Sequence, residues 1–159
     1  MTLEVVILAA GQGSRMRSTL PKVLHPIAGK SMLAHVLELA KAVVSSQTHV
    51  VVGHGADQVK SSLTNANIKW ALQSEQKGTG HAVAQALPAI SDDSQVLILY
   101  GDVPLTSTAT IEQLISSDPS SLGTEQLNLL TVELQNPNGY GRIVRDSNGD
   151  VVAIVEQKD

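Results

Sequence analysis

The sequence predicts an α/β protein with an open, mostly parallel, doubly wound sheet. Short apolar runs rich in Val, Leu and Ile alternate along the chain with segments of helical periodicity. The core must be aliphatic, because the 159 residues include no Phe, one Trp and two Tyr, and aliphatic strands suit a parallel sheet covered by helices. Ligands of such sheets bind beyond the carboxyl ends of the strands.

The first elements are a strand, a loop and a helix. Residues 4–9 form a short apolar run that is closed by Gly11, which predicts a strand buried on both faces. Residues 12–20 are polar and predict a loop. Ser31 is a candidate N-cap for a helix with one apolar stripe. The stripe consists of Met32, Leu33, Val36, Leu37, Ala40, Val43 and Val44.

The middle of the chain continues this alternation. Apolar runs at 49–52, 68–72 and 96–100 predict three further strands. Residues 57–63 predict a short crossover helix, and residues 78–87 predict a helix that stops at Pro88.

The last part of the chain predicts a helix at 108–115, a strand at 128–134 and a hairpin. The hairpin strands, 142–145 and 151–155, flank a Ser-Asn-Gly turn. Because no closing helix follows the final strand, we expect residues 1–159 to be the front part of a truncated domain.

Composition excludes several classes of function. A formal net charge of −4 and a scarcity of aromatic residues disfavour nucleic-acid binding, which needs basic faces and stacking platforms. The absence of Cys removes disulfides, thiolate metal sites and thiol nucleophiles, and fits a cytoplasmic location. No apolar run is long enough to predict a membrane span, and the start of the chain does not resemble a signal peptide.

The strongest motif is a glycine-rich string directly after the first strand. It reads Leu8-Ala9-Ala10-Gly11-Gln12-Gly13-Ser14-Arg15-Met16, and Pro21-Lys22-Val23-Leu24 follows. Backbone N–H groups of such a turn can approach a phosphate without interference from Cβ atoms, and Arg15 and Lys22 add positive charge. Taken singly, the glycines could equally form an ordinary tight turn, with both cations solvated.

Two common phosphate-binding motifs do not fit this string. The P-loop requires Lys-Ser or Lys-Thr after its last glycine, where this chain has Ser14 and Arg15. The dinucleotide fingerprint requires a third glycine, where this chain has Met16, and an acidic residue after the second strand, where it has Gly53 and His54.

Two polar residues follow predicted strands. Asp102 comes just after the 96–100 run, where its carboxylate could face the ligand crevice and bind Mg²⁺, or could instead cap the next turn. The amide of Gln73 can both donate to and accept from a uracil edge, although a surface Gln is the alternative. The five histidines lack metal-type spacing and are given no catalytic role.

The glycine-rich string resembles the signature of the nucleotide-sugar pyrophosphorylases, nucleoside triphosphate transferases with a Rossmann-like sheet. Four further strings narrow the resemblance to the bifunctional N-acetylglucosamine-1-phosphate uridyltransferase and glucosamine-1-phosphate acetyltransferase family, over essentially the whole chain. They are Gln73-Ser74-Glu75-Gln76-Lys77-Gly78-Thr79-Gly80-His81-Ala82, Tyr100-Gly101-Asp102-Val103-Pro104-Leu105, Gly139-Tyr140-Gly141-Arg142-Ile143 and Ile154-Val155-Glu156.

The resemblance implies a fold of the nucleotide-diphospho-sugar transferase type and a role for each matching residue. The nucleotide would bind at Leu8, Ala9, Ala10 and Gly11, and its uracil end at Gln73, Gly78 and Thr79. The catalytic residues would be Arg15 and Lys22, which bind phosphate, and Asp102, which binds the metal. Further substrate contacts would come from Tyr100 and Gly101, and contacts on the sugar side from Gly141 and Glu156.

The implied reaction is Mg²⁺-dependent uridylyl transfer from UTP to N-acetylglucosamine 1-phosphate, giving UDP-N-acetylglucosamine for peptidoglycan and lipopolysaccharide synthesis. The family also implies, beyond these residues, a second metal ligand, part of the sugar pocket and a left-handed β-helix domain. That domain would acetylate glucosamine 1-phosphate with acetyl-CoA and form a homotrimer.

Three alternatives stay open at this stage. The chain could be a thymidylyl or guanylyl transferase acting on another sugar phosphate. It could also be a module that binds nucleotide without turnover, or a nicotinamide-binding Rossmann domain.

Overall fold

The computed structural model describes residues 2–43, 47–63, 67–116 and 127–156. Its strands are β1 (Thr2–Ala9), β2 (Pro26–Ile27), β3 (Lys30–Ser31), β4 (Thr48–Val52), β5 (Ile68–Leu72), β6 (Ser94–Tyr100), β7 (Arg142–Arg145) and β8 (Val151–Val155). Its α-helices are α1 (Met32–Val43), α2 (Ala56–Ser62), α3 (Thr79–Ala86) and α4 (Thr108–Ile115).

The central element is a four-stranded parallel sheet with the order β5-β4-β1-β6. The chain runs outward from β1 to β4 and β5, and then returns to place β6 on the other side of β1. Val5 in β1 therefore pairs with Thr48 on one side and with Leu97 on the other. This reversal next to β1 is the point at which open α/β sheets form a ligand crevice.

Helices cover both faces of the sheet, which confirms the predicted α/β class. On one face, alternate β1 residues such as Val5 and Ile7 pack against α1, α2 and α4 through Leu33, Val59 and Ile111. The other face is covered by α3, where Ala82 and Ala86 pack on Val6 and Val51.

Most of the predicted apolar stripe packs α1 onto the sheet, namely Leu33, Val36, Leu37, Ala40 and Val43. Leu39, which the stripe did not include, joins the same core, whereas Met32 is buried outside that core. Ser31 accepts a hydrogen bond from the Ala34 N–H to its Oγ at 3.2 Å, as expected of an N-cap. Val44, the last residue of the predicted stripe, lies outside the described residues. The positions of α1 and β1 fix the glycine-rich segment between them.

A polar pair is buried among the strands. Glu4 is 7% exposed and His49 is 1% exposed, and the Glu4 Oε2 and His49 Nε2 atoms are 2.7 Å apart. The Ser94 hydroxyl donates to the other carboxylate oxygen at 2.9 Å. The hydrogen bond from His49 lowers the pKa of Glu4 against the opposing effect of burial.

Most predicted elements are confirmed with small shifts in their ends. The strand at 68–72, the helix at 108–115 and the 142–155 hairpin have their predicted bounds. The polar loop at 12–20 contains a 3-10 turn at Ser14–Met16. The short hairpin formed by β2 and β3 was not predicted.

The predicted strand at 128–134 is wrong. These residues form no regular element, although the run contains the apolar side chains expected of a strand. Leu130 and Val132 are 59% and 70% exposed, and no described strand pairs with the segment. An apolar sequence becomes a strand only where a neighbouring strand supplies partners for its backbone.

Among the described residues, no helix is both long and apolar enough to cross a membrane.

Candidate functional site

A cavity of about 340 Å³ opens at the carboxyl ends of β1, β5 and β6. It therefore occupies the edge of the sheet at which the chain reverses. The cavity is lined by Leu8, Ala9, Ala10, Gly11, Lys22, Val23, Gln73, Gln76, Gly78, Thr79, Ala82, Tyr100 and Asp102. Eleven of these thirteen residues belong to the strings Leu8–Met16, Pro21–Leu24 and Gln73–Ala82.

The floor of the cavity is the turn that follows β1. Ala9 and Ala10 are buried, whereas Gly11 is exposed and has no atom within 4 Å of a Cβ built on it. The Gln76 side chain donates from Nε2 to the Ala10 carbonyl oxygen at 2.7 Å. A Cβ on Gly53 would lie 2.9 Å from that same oxygen, so the turn is held from two neighbouring loops.

Gly13 supports the stem of Lys22. Its φ of +62° lies in the left-handed region, and a Cβ built there would come within 2.6 Å of the Lys22 Cβ. Real Cβ atoms do not approach each other so closely, so a larger residue would displace Lys22. The second glycine of the motif thus positions the cation of the site.

Lys22 and Asp102 form an ion pair across the cavity, with 2.5 Å between Nζ and Oδ2. Both side chains keep about a third of their surface exposed, at 35% and 29%. Asp102 is placed by the end of β6, where the Gly101 N–H donates to the Leu8 carbonyl at 2.9 Å. A Cβ on Gly101 would lie 3.0 Å from that carbonyl oxygen, so glycine lets the two strand ends approach closely.

The donor set around Asp102 fits a hard divalent cation held partly by a substrate. Its carboxylate supplies oxygen ligands, and Mg²⁺ in nucleotide sites is commonly bound by one or two carboxylates together with substrate phosphates and water. The described residues contain no group of three acidic, His or Cys side chains able to hold a metal without a substrate. Only one of the two Asp102 oxygens is engaged by Lys22.

The opposite end of the cavity lies after β5. The Gln73 N–H donates to the Val52 carbonyl at 2.8 Å, and the whole residue is only 5% exposed. Its side-chain nitrogen donates to the Gly78 carbonyl at 3.1 Å and lies 3.1 Å from Nδ1 of His81. Gly78 and Thr79 then begin α3, with a Gly78 φ of +95°.

The charged Lys22–Asp102 pair and the uncharged Gln73 amide therefore lie at different ends of the cavity. Asp102 follows β6 and Gln73 follows β5, and these strands are the two edges of the sheet. Three strand spacings separate the edges, or roughly 14 Å at about 4.8 Å per spacing. The glycine-rich turn lies between them, after β1. This arrangement can hold an elongated ligand that is anionic at one end and carries hydrogen-bonding groups at the other.

Not every predicted site residue lines the cavity. Arg15 lies on an exposed 3-10 turn, and Gly101 is buried behind Leu8. Gly141 and Glu156 lie at the open end of the β7–β8 hairpin, where a Cβ on Gly141 would be 3.6 Å from the Glu156 carboxyl carbon. The structure brings these last two residues together with each other, and neither of them lines the cavity.

Three of the lining residues, Val23, Gln76 and Ala82, were not predicted to belong to the site. His81, whose half-buried side chain contacts Gln73, was also predicted to have no role in the site. Gln76, Ala82 and His81 belong to the string quoted for the resemblance, but nothing in their spacing indicates that they support neighbouring groups.

Residues 5–122 match the family of MobA-like NTP transferase domains. The chain is also 61% identical over 157 residues to the bifunctional protein GlmU of Marinobacter nauticus and 60% identical over 159 residues to that of Pseudomonas fluorescens. These matches confirm the resemblance to a bifunctional enzyme family. They cover 99% and 100% of this chain, which spans about a third (34%) of the length of each relative.

Solved structures share the fold. HddC from Yersinia pseudotuberculosis superimposes with a TM-score of 0.65 at 25% identity, over 96% of this chain and 68% of that one. Rv0371c from Mycobacterium tuberculosis gives a TM-score of 0.66 at 22% identity, over 75% and 61%. A manganese complex of that protein gives 0.61 at 22% identity, over 72% and 58%.

Proposed function

The chain belongs to the family of MobA-like NTP transferase domains, and from that premise we propose that it transfers the uridylyl group of UTP to N-acetylglucosamine 1-phosphate. Its GlmU relatives support nucleotidyl transfer to a sugar phosphate. The choice of a uridine nucleotide is supported by one observation: the Lys22–Asp102 ion pair and the Gln73 amide line the same cavity.

The reaction needs little covalent chemistry from the protein. A phosphate oxygen of the sugar phosphate attacks the α-phosphorus of UTP, the new P–O bond forms, and the bond from that phosphorus to the bridging oxygen breaks. Pyrophosphate leaves with the electron pair of that bond. Because the attacking oxygen is already anionic, no general base is required, and catalysis depends on positioning and on neutralising charge.

The residues that line the cavity have separate roles in this reaction. Lys22 neutralises the phosphate oxygens, and the ion pair with Asp102 holds its ammonium group in the cavity until the nucleotide arrives. The turn at Ala10 and Gly11 lies where backbone groups can approach the phosphates. Gln73 and Thr79 bind the base. We also propose Arg15 as a phosphate ligand and Gly141 and Glu156 as sugar contacts, as the resemblance implies.

Nucleotidyltransferases of this type generally use a divalent metal. We propose that Mg²⁺ binds at Asp102 and that, when bound, it neutralises charge on the phosphates. Acetylation of glucosamine 1-phosphate, trimer formation and a cytoplasmic location are likewise proposals for a whole protein of the relatives' length.

Steady-state turnover tests the proposal. Because the resemblance implies a second metal ligand and part of the sugar pocket beyond these residues, the assay uses a protein of the relatives' length that contains this chain. It is incubated with UTP, N-acetylglucosamine 1-phosphate and Mg²⁺, pyrophosphate release is followed by a coupled assay, and the nucleotide sugar is identified by chromatography. We expect release only when both substrates are present, and a clear preference for UTP over GTP and dTTP.

The variants Lys22→Ala and Asp102→Ala locate the site. Both are expected to lose turnover while their circular dichroism spectra stay unchanged, because each side chain is partly exposed and packs little core. Unchanged turnover in both variants would contradict the mechanism. UTP binding without pyrophosphate release would favour the alternative of a nucleotide-binding module.

A further inference from the structure

We infer that His81 is a positioning residue, which holds the Gln73 amide with its oxygen toward the cavity and thereby makes the site prefer uracil over cytosine. The inference rests on the proposed function, because it concerns the base end of the same site. The Gln73 side-chain nitrogen lies 3.1 Å from the Gly78 carbonyl oxygen and also 3.1 Å from the His81 Nδ1.

The Gly78 carbonyl fixes one hydrogen of the amide. A carbonyl oxygen can only accept, and this one already accepts from the Ala82 N–H at 3.2 Å as part of α3. If the Gln73 amide rotated by half a turn, its oxygen would face the Gly78 oxygen and the hydrogen bond would become a repulsion. Gly78 alone therefore favours one orientation of the amide.

His81 uses the second hydrogen. A neutral imidazole that carries its proton on Nε2 has an unshared electron pair on Nδ1 and accepts there. Both hydrogens of the Gln73 amide are then used within the protein, and a rotated amide would meet two acceptors instead of one. Loss of the ring leaves only Gly78 to resist rotation.

The amide oxygen is left for the ligand. Gln73 lines the cavity, and no described residue donates to its Oε1. Uracil carries an N3–H donor on its base-pairing edge, whereas N3 of cytosine is an acceptor that would face the same oxygen. A site built to accept a hydrogen bond discriminates against an analogue that cannot donate it.

The other side of the ring provides a control. The Nε2 atom of His81 lies 3.2 Å from the side-chain nitrogen of Gln85, which also donates to the His81 backbone carbonyl at 3.1 Å. With the ring proton on Nε2, the Gln85 amide turns its oxygen to the Nε2–H and gives up its hydrogen bond to the His81 carbonyl. Because Gln85 is partly exposed, water can replace that bond, whereas Gln73 is only 5% exposed and has no such replacement. Gln85 reaches only the ring nitrogen that faces away from Gln73, so its removal leaves the Nδ1 acceptor in place.

The test is titration calorimetry of the chain with UTP and with CTP in the presence of Mg²⁺. For His81→Ala we expect the ratio of the CTP and UTP dissociation constants to fall about tenfold, which is the effect of losing one hydrogen bond. The loss should come mainly from weaker UTP binding. Gln85→Ala should keep the wild-type ratio.

Two conservative variants separate positioning from packing. The amide oxygen of His81→Asn falls near the place of Nδ1 and should restore the preference, whereas His81→Gln places its amide near Nε2 and should not. If His81→Ala does not fold, the comparison of the Asn and Gln variants still tests whether His81 positions the Gln73 amide. The inference would be overturned if His81→Asn and His81→Gln had the same ratio of CTP and UTP dissociation constants, or if His81→Ala kept the wild-type ratio. In either case a wild type that prefers UTP would still support the proposed function. A wild-type chain without preference for UTP would overturn both.

Discussion

Replacement of Gly13 by Ala tests how the glycine-rich turn serves the site. The left-handed backbone at φ +62° costs an L-residue about 1–2 kcal/mol, and the contact of the new Cβ with the Lys22 Cβ adds about 1–3 kcal/mol of overpacking. We expect Gly13→Ala to lower the free energy of unfolding by about 2–5 kcal/mol. We also expect the displaced Lys22 ammonium to weaken UTP binding by at least about tenfold, since a hydrogen bond to a charged group contributes about 1.5–3 kcal/mol.

Gly29 offers a matched control for this substitution. It lies in the β2–β3 turn with a φ of +84°, and a Cβ built on it meets no atom within 4 Å. Gly29→Ala therefore carries the backbone strain of about 1–2 kcal/mol without the collision. Stability comes from urea unfolding and affinity from titration calorimetry with UTP. If Gly13→Ala bound UTP as tightly as Gly29→Ala, the claim that Gly13 positions Lys22 would be refuted.

Three further predictions concern ionisation, metal binding and capping. The pKa of Glu4 is lowered by the His49 hydrogen bond, so its stabilisation should be complete above the ordinary value of 4.5 and lost as pH falls through the lower folded value. Urea unfolding should show a steeper acid loss for the wild type than for Glu4→Gln, and equal slopes would contradict this. Asp102→Asn should abolish the gain in UTP affinity on adding Mg²⁺ while changing stability by less than about 1 kcal/mol, and calorimetry showing an undiminished gain would refute a metal-binding role for Asp102. Ser107 accepts a hydrogen bond from the Thr110 N–H at 3.1 Å, so thermal unfolding should show a loss of about 1 kcal/mol in Ser107→Ala, with UTP affinity unchanged.

The fold was predictable wherever one local signal determined an element. The run at 68–72 is largely apolar and bounded by polar residues, and residues 108–115 follow a helical pattern. The strand expected at 128–134 failed because pairing depends on a distant partner that the local sequence does not specify. The β2–β3 hairpin was missed because its strands have only two residues each.

The candidate site was partly predictable for a related reason. Glycine-rich and acidic residues directly after strands must meet at one edge of a parallel sheet, so the sequence points to Gly11 and Asp102. The contact of Gly13 with Lys22, and that of His81 with Gln73, join residues through the packing of side chains. Such contacts leave no spacing in the sequence, and only the three-dimensional structure reveals them.

The most direct test of the account is titration calorimetry of the chain with UTP, with and without Mg²⁺, using GTP and NAD as controls. We expect UTP to bind selectively, Mg²⁺ to raise the affinity for UTP, and NAD not to bind. Equal affinity for UTP and GTP, or binding of NAD in place of UTP, would contradict a uridine nucleotide site at the carboxyl ends of these strands.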